Sequence, residues 1–358
     1  MKKIVTIIGA RPQLIKTALL SRELQKYFQE VIVHTGQHYD LNMSDIFYQD
    51  LNLPEVDYNL EVGSASQGKQ TAMMMERIEE VLLEEKPDMV LVYGDTNSTM
   101  AGALVATKLH IPVGHVESGM RSFNRRMPEE INRVVTDHVS DLLFCSTKSV
   151  VENLKEEGIK QNVHFVGDVM FDLQESVVAQ GKVNSILEKL DLKPQEYILA
   201  TIHRQENTDI KENLVNILEA FGQSEEIIIW PIHPRTKKCL EDYKLIDMIN
   251  KIDNLEIIDP ISYTENIELE KNAKLILTDS GGVQKEAYVA KVPCITLREE
   301  TEWTETVESG WNQLAGADTQ KIVRLIRNYP EPKDYPKFLG DGDAYLKITK
   351  IIQDFLKV

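Results

Sequence analysis

Long hydrophobic runs are missing from this chain. A membrane-spanning helix needs about 20 consecutive apolar residues, and the apolar stretches here are far shorter. Cysteine is scarce: Cys145, Cys239 and Cys294 lie far apart, with no C-x-x-C pair. That argues against a disulfide framework or a zinc knuckle and suits a reducing compartment. Positive charge is in deficit, with 40 Lys and Arg against 57 Asp and Glu and a formal net charge of −17. So acidic a chain has no general attraction for DNA, RNA or anionic lipid, and neither nucleic acid nor a membrane is expected as a partner. Dense metal-ligand patterns such as H-E-x-x-H are absent, so no metal is expected. Repeats and low-complexity tracts are absent too. The opening apolar stretch, Ile4 to Ile8, is too short for the core of a signal peptide and reads as a first strand. A soluble, cytoplasmic protein is expected.

What is present is an ordinary globular composition, 42% hydrophobic and 27% charged over 358 residues. That length allows two packed cores, because single cores stop growing near ~300 residues. Short β-rich runs alternate with helical patterns: KIVTIIG, EVIVHTG, MVLVYGD, IPVGHVE, LLFCST and NVHFVG, then EYILATIH, EIIIWPIH, LEIIDP, KLILTDS and VPCITLRE. Such alternation implies right-handed βαβ crossovers and parallel sheets. The rhythm breaks once, after Val166, where a mostly helical, polar segment runs to a Lys-Pro turn. The expected fold is α/β and GT-B-like: two doubly wound, Rossmann-like domains, residues 1–168 and 169–340, whose parallel sheets face a central cleft. Residues 341–358 form an amphipathic helix expected to pack near the domain junction, with Leu346, Ile348, Ile351, Ile352 and Phe355 on its apolar side. Ligands of such folds bind at the carboxyl ends of the strands.

Several strand ends carry candidate chemistry. In TDSGGVQKEA, a strand leads through Ser280, Gly281 and Gly282 into a helix. A helix N-terminus offers unpaired N–H groups and partial positive charge to a phosphate. Glycine lets that backbone come close and adopt positive φ, and Glu286 is placed to accept vicinal ribose hydroxyls; a plain capped turn is the competing reading. TIIGARPQLIK repeats the pattern, with Arg11 in the turn, Pro12 at the first helical position and Lys16 a turn further on. It is neither G-x-G-x-x-G nor a P-loop, which weakens nicotinamide and ATP readings. His38, Asp95 and Glu117 follow strands, and Glu129 opens a helix. Carboxylates gathered at one site supply an acid and a base when their pKa values are pushed apart. Capping or salt bridging is the commoner role for any one of them, and Glu130 is expected to pair with Arg133. In the second half TIHRQEN and PIHPRT place His203, Arg204, His233 and Arg235 at strand ends, suited to a diphosphate.

Taken together, GARPQLIK, TGQHYD, GDTNST, HVESGMRS, PEEINR, TIHRQEN, HPRT, DSGGVQKEA and GDGDA resemble, in order, the motifs of the non-hydrolysing UDP-N-acetylglucosamine 2-epimerase family. The resemblance spans residues 9 to 344. It implies a GT-B-like fold, UDP held mainly by the C-terminal domain, and inversion of C2 of the sugar without a cofactor, for cell-surface polysaccharide precursors. In that family UDP leaves C1 as the C2 proton is removed, giving a 2-acetamidoglucal to which UDP returns. It implies that Asp95, Glu117 and Glu129 are the acid/base carboxylates and that His203 lies near the diphosphate. Arg11, Ser280, Gly281, Gly282 and Glu286 then bind nucleotide, and Lys16, His38, Arg121, Arg133, Arg204, His233 and Arg298 complete the expected substrate- and UDP-binding set. The expected partners are a UDP-sugar and a second copy of the chain, as a homodimer.

The motifs also depart from the common pattern. Ala10 and Gln13 replace Thr and Glu, Lys285 replaces Glu, and Trp303 stands where an arginine is expected at the phosphates. Arg298 or Lys285 is positioned to supply the missing charge. The pattern also resembles 2-epimerases of UDP-2,3-diacetamido-2,3-dideoxyglucuronic acid, the alternative substrate. A hydrolysing epimerase, a GT-B glycosyltransferase and a nucleotide-sugar sensor without catalysis are the remaining alternatives.

Overall fold

The computed structural model describes residues 1–36, 53, 55–180, 186–332 and 334–358. They fall into two compact units, Met1–Ser176 with Lys337–Val358, and Val177–Pro336. In the first unit, strands β1 (Lys3–Ile8), β2 (Gln29–His34), β3 (Tyr58–Asn59), β4 (Met89–Tyr93), β5 (Val113–Val116), β6 (Leu142–Cys145) and β7 (Val163–Phe165) pair in parallel. Their order is β3-β2-β1-β4-β5-β6-β7. A parallel sheet covered on both faces needs near-continuous apolar strands, and all five residues of β4 are buried. Ile7, Val33 and Val92 pack there with Met74, Ile78 and Ala101 from the covering helices. The helix Asn97–Lys108 lies so close to the sheet that a Cβ on Gly102 would sit 2.8 Å from the Ile7 side chain.

The second unit repeats the plan with β8 (Tyr197–Thr201), β9 (Ile227–Pro231), β10 (Leu255–Ile258), β11 (Leu275–Thr278), β12 (Cys294–Thr296) and β13 (Asn312–Leu314), all parallel. Their order is β10-β9-β8-β11-β12-β13. Its core joins Ile198, Trp230 and Leu277 of the strands to Leu214, Ile217 and Phe221 of the helix Lys211–Gln223. The Phe221 and Trp230 rings meet edge to face at 5.9 Å, a favoured aromatic geometry. Strand order reverses between β1 and β4 in one sheet and between β8 and β11 in the other. Those reversals are where doubly wound sheets bind ligands.

Each of the eleven apolar runs read from the sequence contains a strand. The two that were not read, β3 and β13, are edge strands of two and three residues, too short to show alternation. The expected division at 168 falls short of the contact boundary at 176, because the helix Val169–Gln180 begins inside the first unit and runs past its limit. The last helix, Ala344–Leu356, belongs to the first unit and packs on the helix Arg11–Leu24. Ala344, Ile348, Thr349 and Ile352 form its buried stripe, whereas Leu346 and Phe355, expected on that stripe, are exposed.

Candidate active site

In the first unit the motif residues gather at the carboxyl ends of β1, β4 and β5, which are neighbours in the sheet. Gln13 fixes the first turn. Its Oε1 accepts the N–H groups of Gly9 and Ala10 at 2.8 and 3.0 Å, and its amide donates to the Tyr93 carbonyl and the Thr99 hydroxyl at 2.6 and 2.9 Å. One buried side chain therefore ties the loop after β1 to the loop after β4. A glutamate here, even protonated, would have one O–H and could donate only one of those last two bonds.

Beyond β4 the chain turns at Gly94, with φ of +63°, and beyond β5 at Glu117, with φ of +70°. A left-handed glutamate is unusual and costs roughly 1–2 kcal/mol. The Glu117 carboxylate pairs with the Lys16 ammonium. A Cβ on Gly94 would lie 3.3 Å from Lys16 Nζ and 3.5 Å from Glu117 Oε2, so glycine serves both the turn and the space beside this pair. Asp95 does not cap the following helix, since Thr96 does. Its carboxylate instead accepts both Nε and Nη2 of Arg133, at 3.0 and 2.6 Å, and keeps a third of its side chain exposed.

Arg133 also reaches Glu130 at 3.0 Å, as expected for residues three apart on one helix. Glu130 accepts three further bonds from Ser122 and Phe123 at 2.8–3.0 Å, pinning the loop before this helix. Burial pushes its carboxyl up, but the bonds from Ser122 and the charge of Arg133 outweigh burial and hold it below its usual range. Glu129, its neighbour, sits half-buried in the same first turn.

Behind β5 lies a buried network. His115 Nδ1 meets Asp137 at 2.7 Å and its Nε2 meets the Gly94 carbonyl at 2.7 Å. Asp137 also accepts Gly119 N–H at 3.0 Å and Arg121 Nη1 at 2.7 Å. Arg121 grips Glu157 with its remaining edge, at 2.7 Å twice. Burial acts to raise the Asp137 carboxyl, but His115 first and Arg121 second hold it below its ordinary value. Arg121, expected to bind substrate, has a side chain 1% exposed and pairs with two carboxylates, Asp137 and Glu157. Arg11 opens its helix, and its side chain, like all of His38, lies outside the described residues.

In the second unit Ser280 caps the helix Gly281–Ala290, its hydroxyl accepting Val283 N–H. Gly281 and Gly282 are the first helical residues and do not adopt positive φ, contrary to expectation. Their value is the missing side chain: a Cβ on Gly281 would be 3.6 Å from Trp303 Nε1 and 3.8 Å from Glu302 Oε2, and Gly282 is exposed. Asp279, fully buried at the end of β11, accepts the N–H groups of His203 and Arg204 and the Asn207 amide, all at 3.0–3.1 Å. This carboxylate sets the turn after β8 against the helix N-terminus. The His203 ring lies 6.1 Å from that of His233, which caps its own helix through Nδ1. Lys285 Nζ sits 4.3 Å above the Trp303 ring, a cation–π contact. Arg298 makes two bonds to Glu302, at 3.0 and 3.1 Å. Two of the departures from the common motif, Lys285 and Trp303, therefore pack on each other. Among the described residues no cluster of His, Cys, Asp and Glu could hold a metal ion.

The chain matches the family model described as UDP-N-acetylglucosamine 2-epimerase over residues 22–353. It belongs to that family. A UDP-N-acetylglucosamine 2-epimerase homolog of Methanococcus maripaludis is 55% identical, covering 98% of this chain and 99% of the relative. The UDP-2,3-diacetamido-2,3-dideoxy-D-glucuronate 2-epimerase of Pseudomonas aeruginosa is 46% identical, covering 98% and 99%. The crystal structure of Methanocaldococcus jannaschii UDP-GlcNAc 2-epimerase in complex with UDP-GlcNAc and UDP superposes with a TM-score of 0.92 at 46% identity, over 99% of this chain and all of that one. The GT-B-like, doubly wound architecture expected from the sequence agrees with such relatives.

Proposed function

We propose that this protein interconverts UDP-N-acetylglucosamine and UDP-N-acetylmannosamine by inverting C2 of the sugar. Family membership and the likeness to a relative solved with UDP-GlcNAc and UDP support this reading. The observation that carries it is the left-handed Glu117 after β5, paired with Lys16, with Asp95 after the neighbouring strand β4.

The C2 proton is not next to a carbonyl, so a base alone cannot remove it. In the proposed reaction the C1–O bond to UDP breaks as a carboxylate takes the C2 proton, leaving a C1=C2 double bond in a 2-acetamidoglucal. UDP then re-forms its bond to C1 while a proton is delivered to C2 from the opposite face. Asp95, Glu117 and Glu129 act as acid and base, with Arg133 holding Asp95 and Lys16 holding Glu117 in place. Departing UDP needs charge stabilisation, which the helix N-terminus at Ser280–Gly282 supplies with His203 and Arg204. Glu286 receives the ribose. No redox change occurs, so the reaction calls for no nicotinamide.

A second reading, 2-epimerisation of UDP-2,3-diacetamido-2,3-dideoxyglucuronate, is favoured by the 46% identical relative of that name. Incubation of each nucleotide sugar in D₂O, followed by NMR, separates the readings. The first predicts deuterium at C2 and UDP-N-acetylmannosamine from UDP-N-acetylglucosamine. Exchange with the uronate alone would transfer the assignment. Free N-acetylmannosamine with UDP would indicate hydrolysis. A homodimer remains the proposed assembly, and sedimentation velocity tests it.

A further inference from the structure

One buried acid has no part in the chemistry above. Glu270 lies on the helix Tyr263–Asn272, which packs against the helix carrying Glu286. Its side chain has no solvent exposure, and Glu286 is also buried. Glu270 Oε1 accepts the Asn266 amide at 2.6 Å. Its Oε2 has no donor among the described residues, and the carboxyl of Glu286 is near enough to interact with that of Glu270. Tyr197 and Cys294 also feel the charge of Glu270.

Two carboxyl groups in contact and away from water cannot both be ionised. The proton belongs on the more deeply buried group, whose second oxygen otherwise lacks any partner. Burial first, then the proximity of Glu286, push the Glu270 carboxyl well above the ordinary range. A proton on Glu270 places an O–H toward Glu286 from behind.

We infer that Glu270 is a positioning residue: a neutral carboxylic acid that donates its proton to Glu286 and so holds that carboxylate to accept the vicinal hydroxyls of the nucleotide ribose. The inference rests on the reading of Ser280–Glu286 as the UDP site. It also explains how an anion can stand in the second turn of a helix whose first turn must attract a diphosphate. The carboxylate spends part of its charge on Glu270 and the rest on the sugar.

Ribose discrimination tests it. Calorimetric titration with UDP and with 2′-deoxy-UDP should show that the wild type prefers UDP by roughly 10- to 100-fold, as expected for a hydrogen bond to a charged group. Glu270→Gln keeps an N–H for Glu286 and an oxygen for Asn266, so its preference should stay within about threefold of wild type. Glu270→Leu fills the space without a donor, and its preference should fall to about threefold or less. Infrared spectra at pH 8 give a readout independent of ligand and of the Leu variant's folding. The wild type should show a carboxylic-acid C=O band that Glu270→Gln lacks. An unchanged preference in folded Glu270→Leu, an equal loss in both variants, or no band difference would overturn the inference. A wild type that binds both nucleotides equally would instead remove the ribose role of Glu286, while the band would still report the proton on Glu270.

Discussion

The substitution Asp137→Asn probes whether the buried network behind β5 holds the turn of Glu117. Asp137 is fully buried and accepts from His115, Gly119 and Arg121 at 2.7, 3.0 and 2.7 Å. Asparagine keeps the shape and one accepting oxygen but loses the charge. Arg121, itself buried, is then left with Glu157 alone. Removing one partner of a buried ion pair costs about 3–5 kcal/mol, and the retained acceptor favours the lower end. At about 2–4 °C per kcal/mol for a unit of this size, the loss is roughly 6–12 °C in Tm, measured by circular dichroism at pH 7. The pH dependence gives a second check. The folded carboxyl lies below its ordinary value of 3.8, so its contribution is present above that value and disappears as pH falls through the folded one. The gap between wild type and variant should hold from neutrality down to about pH 4 and narrow below. A loss under 2 °C at pH 7 would refute the bracing role, as would a gap that does not narrow.

Asp172→Asn should act in the opposite direction. Burial pushes Asp172 up to about 7 from 3.8 despite its bond to Tyr345 N–H. The native state is therefore penalised as pH rises from about 4 to 7, at ~1.4 kcal/mol per pH unit. The variant should gain up to ~4 kcal/mol at pH 8 and nothing at pH 3.5, read from denaturant titrations. Gly94→Ala forces alanine to φ of +63° and brings its methyl against the Lys16–Glu117 pair. It should lose about 1–2 kcal/mol of stability and at least tenfold in C2 exchange; an unimpaired rate would detach that pair from the chemistry. Asp95→Asn and Glu117→Gln should each lower the exchange rate by roughly 10²–10⁴-fold while UDP still binds, with calorimetry confirming binding.

What the residues disclosed, and what they withheld, divides along physical lines. The strands of a covered parallel sheet are apolar throughout, so MVLVY and LILT were legible as buried strands. The Glu130–Arg133 pair was legible because residues three apart share a helix face. Asp137, Asp279 and Gln13 were not, because each binds groups that lie between 16 and 86 residues away in sequence. Arg121 sits inside a matching motif, yet only burial reveals that its charge is spent internally. Strain at Glu117 likewise has no local signature, since a positive φ on glutamate is imposed by the packing around it.

The central claim is that UDP departs and returns while C2 inverts. Its most direct measurement starts from UDP-N-acetylglucosamine carrying ¹⁸O in the bridge between C1 and the β-phosphorus. With the wild-type protein, ³¹P NMR should show that label moving into the non-bridging positions of the β-phosphate at a rate at least equal to that of epimerisation. Epimer formed with the label still wholly in the bridge would contradict the account.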